Sequence, residues 1–108
     1  MTRTPVLEYA TAGERRVTRE LVNAILAAGY KADVNDGEEW TVKKSASTSE
    51  IMAALGSTEE DVIRVRRPDG TVAGSLLLIW GNDPTGEELI ADHTDNGEMQ
   101  ALYDAAHR

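Results

Sequence analysis

His93 stands between carboxylates in the run Asp92-His93-Thr94-Asp95-Asn96. An imidazole flanked by acids can bind a divalent metal or act as a general base. Two more carboxylates, Asp83 and Glu88, would lie near it if the fourth and fifth strands pair. One candidate is therefore a metal-dependent or hydrolytic enzyme centred on Asp92, His93 and Asp95. The same residues have a simpler use. Asp and Asn are preferred helix N-caps, and acids in a first helical turn complement its dipole. Asp95 or Asn96 is thus expected to cap a helix, with Glu98 at capping-box spacing from Asp95. There is no H-x-x-x-H or H-E-x-x-H spacing, and His107, the other histidine, lies one residue from the end. Ser45, Ser47, Ser49, Ser57 and Ser75 lie in no G-x-S-x-G motif. The stretch from Gly70 to Ser75 lacks the lysine of a phosphate-binding loop. The expectation is no catalytic residue, no metal and no cofactor.

Charge is the stronger signal. From Pro68 onward eight acids face a single base, Arg108, whereas residues 1–67 hold eleven acids and ten bases. The net charge of -8 therefore sits almost wholly in the last part of the chain. Such a balance opposes binding to phosphate backbones and anionic lipid, so neither nucleic acid nor a membrane is the expected partner. It favours a protein target with a basic surface. The chain has no cysteine, which excludes disulfides and thiolate metal sites. No apolar run approaches the roughly 20 residues of a membrane span. The N-terminal stretch with Arg3 and Glu8 lacks a secretory core, so the cytoplasm is the expected compartment.

The elements that must position these residues follow from caps and periodicity. Thr11 and Glu14 open a helix over about 12–28 that Gly29 stops. Tyr30, Ala32 and Val34 alternate with polar residues; Asp36-Gly37 turns the chain, and Trp40 and Val42 alternate again, which predicts a hairpin. Ser47 and Glu50 open a short helix over about 48–55. A third strand is expected over about Asp61–Arg67, turned at Asp69-Gly70 into a fourth over Thr71–Trp80. The run Leu76-Leu77-Leu78-Ile79-Trp80 reads as a central strand buried on both faces. A breaker-rich loop, Gly81–Gly86, leads to a fifth strand over Glu87–Asp92 and a closing helix over about 96–106. The predicted class is α+β: one domain over 1–108, order α-β-β-α-β-β-β-α, with a largely antiparallel five-stranded sheet and three helices. Leu21, Ile25, Leu77, Ile79 and Leu102 are the expected core.

Four surface features are candidates for contact. Asp83, Glu87, Glu88, Asp92 and Asp95 are expected to gather as one negative patch at the Gly81–Gly86 end. Trp40 and Trp80 lie on strands among apolar neighbours and are read first as core fillers; Trp80, at the end of its strand, is the one of the two placed nearer a rim, where Trp often anchors interfaces. Arg64 and Arg66 share a strand face opposite Ile63 and Val65, read as an edge that blocks aggregation or pairs with acids. Val22 and Leu26 lie off the main stripe of the first helix. They are covered either by another segment of the chain or by a second copy in a homodimer through helix one.

Gly56-Ser57-Thr58-Glu59-Glu60-Asp61, Asp69-Gly70, Trp80-Gly81-Asn82 and Asp92-His93-Thr94-Asp95-Asn96 together resemble segments of small uncharacterised proteins of bacteriophages and prophages. The resemblance covers about Trp40 to Asn96 and implies no catalytic residues. It implies a context in which small accessory proteins bind and block host proteins, defence complexes among them. The first reading is accordingly a non-enzymatic acidic protein-binding module, of the kind that inhibits a host nucleic-acid-handling or defence complex in an anti-CRISPR-like mode. The alternatives are the enzyme above and a self-associating structural protein.

Overall fold

The computed structural model describes residues 10–56, 58–81 and 83–107. Its elements run α1 (Ala12–Ala27), β1 (Lys31–Asn35), β2 (Trp40–Ser45), α2 (Thr48–Ala54), β3 (Glu60–Arg66), β4 (Val72–Ile79), β5 (Ile90–His93) and α3 (Gly97–Ala106). The sheet has five strands in the order β2-β1-β3-β4-β5, each pair antiparallel. The predicted class and element order hold.

Local chemistry sets most boundaries. Thr11 and Glu14 form a full capping box at the start of α1. At its end Gly29 N–H donates to Leu26 O and Tyr30 N–H to Ile25 O, the paired bonds of a Schellman stop, with Gly29 at φ +87°. Ser47 caps α2 by accepting from Glu50 N–H. Asn96, not Asp95, caps α3, accepting from Met99 N–H while its amide donates to Ala73 O. Glu98 is therefore no capping-box partner; it pairs with Arg67 at 2.6 Å and accepts from Tyr30 Oη. Between β3 and β4, Gly70 N–H donates to Arg67 O across Pro68-Asp69, and Gly70 takes φ +91°, a three-residue hairpin loop.

All three helices pack on one face of the sheet, with α1 between α2 and α3. The core is one cluster: Val17, Leu21, Val22 and Ile25 of α1, Ile51 of α2 with Leu55 just past its end, Met99 and Leu102 of α3, and the inward residues Ala32, Val34, Ile63, Val65, Leu76 and Leu78. Two sequence expectations fail here. Leu77 and Ile79 are not core; Leu76, Leu78 and Trp80 face the helices, leaving Leu77 half-buried and Ile79 42% exposed on the other face. An unbroken apolar run carries no alternation, so it could not say which parity points inward. Nor is β3 an edge strand; it is the middle of the sheet.

The stripe of Val22 and Leu26 is also accounted for. Val22 is fully buried and Leu26 packs against the core, because α1 is flanked on both sides. The chain's own elements cover Val22 and pack against Leu26, which stays half-buried.

Candidate functional site

The β4–β5 loop is locked to the N-terminus of α1. Glu14 is buried; one carboxylate oxygen accepts from Thr11 N–H at 3.1 Å, and the other accepts from Gly81 N–H at 3.1 Å and Asp83 N–H at 3.2 Å. Thr11 Oγ1 donates to Asp83 O. The two backbones touch through glycines: a Cβ on Gly13 would lie 2.5 Å from Thr85 C, and one on Gly86 2.7 Å from Gly13 C. The Asp83 carboxylate is engaged within the loop, accepting from Thr85 N–H, Thr85 Oγ1 and Glu88 N–H. The Glu88 amide bond holds Asp83 below the ordinary carboxylate value. These bonds also prolong the loop, so β5 starts at Ile90 rather than near Glu87.

The five acids expected in one patch are thus divided. Asp83 is a turn residue. Glu87 and Glu88 border a hollow of about 920 Å³ beside Gly13, Arg16, Tyr103 and His107, on the helix side. Asp92 pairs with Leu77 in the sheet register and opens on the other face. Asp95 is exposed in the turn before α3.

Trp80 is not a rim anchor. It is 9% exposed, and its indole Nε1–H donates to Asp61 Oδ2 at 2.8 Å. The same oxygen accepts from Gly56 N–H at 2.9 Å, tying the end of α2 to the end of β4. Asp61 is fully buried, and its Oδ1 has no partner among the described residues. Burial pushes its carboxyl above the ordinary value, against the pull of the Trp80 and Gly56 bonds.

The His93 side chain is engaged by its neighbours. Its Nδ1 lies 2.9 Å from Thr94 O, and its ring lies tilted against Tyr103 with centroids 5.3 Å apart. Asp92 Oδ1 accepts from His93 N–H at 2.9 Å. Among the described residues no three of His, Cys, Asp or Glu gather as a metal site.

The sheet face away from the helices carries the most distinctive surface. Its rows follow from register: Glu60 opposite Ile79, Val62 opposite Leu77 and then Asp92, Arg64 opposite Ser75 and Asp33, Arg66 opposite Val72. Asp33 is buried and accepts from Arg64 Nε at 2.6 Å, Arg66 Nε at 2.7 Å and Lys44 N–H at 2.7 Å. Lys44 reaches it from a bulge in β2, at φ +52°. Burial alone pushes the Asp33 carboxyl up, but the Lys44 amide and both guanidinium groups outweigh it and hold it below the ordinary value. Fixed in this way, the Arg64 guanidinium lies 4.0 Å from the centroid of the Trp40 ring. Beyond it Val62 and Leu77 are half-buried, and Ile79 and Val72 are 42% and 46% exposed. A shallow groove of about 450 Å³ runs over Val62 and Leu77, with Glu60 and Asp92 at its rims.

Comparison with family models, with curated proteins and with solved structures finds no match to this chain.

Sequence reasoning read Glu14 only as a capping-box partner and missed its hold on the β4–β5 loop, and it missed Asp33 and Asp61 as organising carboxylates. Two had a signal. Asp61 shares parity with Ile63 and Val65, which places it on the core side of β3. Arg64 and Arg66 on one strand face require an acid on a neighbouring strand, and Asp33 lies on the polar face of β1.

Proposed function

We propose that the protein is a non-enzymatic protein-binding module whose docking surface is the helix-free face of its sheet. One observation carries this reading: Val62, Leu77 and Ile79 lie partly or largely exposed in adjoining rows, with exposed Val72 beyond the Arg64–Ser75 row, beside a Trp40–Arg64 stack fixed by a buried carboxylate. Exposed aliphatic rows on a rigid sheet are costly to leave in water and useful only when covered. Trp and Arg are the residue types that most often carry interface energy. The partner is a protein with a basic surface, which the net charge of -8 attracts over distance and the open-face acids meet on contact. The resemblance to phage accessory segments suggests a host protein of that kind, one whose basic surface ordinarily holds nucleic acid.

The test is site-specific photo-crosslinking in a lysate of the native host cell. A crosslinker at Leu77 is compared with one at Glu20, an exposed residue of α1. The reading expects one product from position 77 only, competed by excess wild-type protein and not by the Ile79→Asp variant. Equal products from both positions, or a product containing only this chain, refute it.

A further inference from the structure

The groove on the open face has a chemistry narrower than that of the face as a whole. Its floor is Val62 and Leu77, its rims are Glu60 and Asp92, and among the described residues no Lys or Arg lines it. Asp92 uses one oxygen to accept from the His93 amide, and Glu60 makes no side-chain hydrogen bond among the described residues. Asp92 lies two strands across from Val62, and Glu60 lies two residues along β3 from Val62. With strands about 4.8 Å apart and about 3.3 Å per residue, the two carboxylate-bearing Cα atoms are about 12 Å apart.

The geometry points to an extended partner segment of the pattern basic-x-apolar-x-basic as the occupant of this groove. This deepens the reading above and rests on it. In an extended chain residues i, i+2 and i+4 share one face, and i to i+4 spans about 13 Å. Such a segment sets one basic head at each rim carboxylate and its central apolar side chain on Val62 and Leu77. Arg and Lys suit the rims because their aliphatic stems lie over apolar surface while the charge reaches the carboxylate. Strand addition at a sheet edge is disfavoured as the alternative mode. At the β5 edge the Asp92 carboxylate already occupies the His93 N–H, and the β2 edge is broken by the bulge at Lys44.

The probe is an acetylated and amidated pentapeptide, Arg-Thr-Leu-Thr-Arg, titrated into the full chain and followed by amide NMR shifts. The expected result is saturable shifts at Val62, Leu77 and Asp92, weakened by added salt and absent with Glu-Thr-Leu-Thr-Glu. Asp92→Asn should weaken binding about three- to fivefold, and its combination with Glu60→Gln about tenfold, as exposed ion pairs allow. Both positions are exposed, so the variants should fold, and their unchanged spectra away from the groove verify it. Shifts centred on Glu87 and Glu88, or no saturable shift, overturn the inference. If the peptide fails while crosslinking from Leu77 still succeeds, the groove assignment alone falls. If both fail, the docking face falls with it.

Discussion

Gly13→Ala should destabilise the protein, against the usual effect of that change in a helix. In an exposed helix Ala is favoured over Gly by about 1 kcal/mol. At Gly13 the new Cβ would meet Thr85 C at 2.5 Å and Thr85 O at 2.8 Å, with Pro84 O closer still. All three are backbone atoms and cannot rotate away. The loop must retreat from α1, which strains or breaks the bonds from Gly81 and Asp83 to Glu14 and from Thr11 to Asp83. Overpacking costs about 1–3 kcal/mol, and each lost bond to the buried Glu14 carboxylate about 1.5–3 kcal/mol where water cannot replace it. Even after the helical gain, the net loss is about 1–3 kcal/mol. Gly97→Ala is the internal control. It too lies in the first turn of a helix, but nothing is within 4 Å of its Cβ, so it should be neutral or stabilising by up to about 1 kcal/mol. Urea denaturation of both variants reads the difference, and thermal melting should show a fall in Tm of about 4–12 °C for Gly13→Ala alone. If the two substitutions shift the midpoint in the same direction, the docking of the loop on α1 is not what holds this end of the fold.

Two carboxylates should give opposite pH dependences. The folded value of Asp33 lies below the ordinary 3.8, so its stabilisation is full above about pH 4 and is lost as pH falls through the folded value. Asp33→Ala, which leaves two guanidinium groups unpaired, should cost about 1–3 kcal/mol at neutral pH and progressively less in acid. The folded value of Asp61 lies above 3.8, so its relative contribution is best below about pH 4 and declines as pH rises through the folded value. Asp61→Asn should therefore gain on wild type as pH rises, and a pH-independent difference in urea midpoint between them would disprove that. Leu102→Ala should cost about 2–5 kcal/mol in chemical denaturation, since Leu102 is buried in the cluster that joins α3 to the core. Acrylamide should quench Trp40 and spare Trp80, which is 9% exposed; Trp80→Phe and Trp40→Phe separate the two emissions.

What was legible in the sequence was what short-range physics decides. The capping box of Thr11 and Glu14, the stop at Gly29, the Ser47 cap and the Asp69-Gly70 turn each act within a few residues, and each was found in place. From them came the number, kind and order of the elements. The apolar run at Leu76 to Trp80 fixed a strand but not its face. The position of β3 in the middle of the sheet depends on pairings that local pattern does not encode. The candidate face was hidden for the same reason: Trp40, Asp33, Arg64 and Asp92 come from four strands and meet only through register. Trp80 was legible as a core filler, but Gly81 after it also drew it toward a rim, and the buried partner of its indole, Asp61, lies 19 residues away.

The central place of α1 has a consequence for how the protein is made. Of the three helices described, α1 is made before the two that flank it, and its Glu14 bonds to amides 67 and 69 residues downstream. At about 5–20 residues per second, translation leaves α1 without those partners for roughly 3–14 s. During that interval Val17, Leu21 and Ile25 have no α3 to help cover them. A chain stopped short of α3 is then not a smaller version of the domain but one with its central helix bared, a substrate for chaperones and proteases. Quality control can in this way distinguish copies by whether α1 has been enclosed by α3.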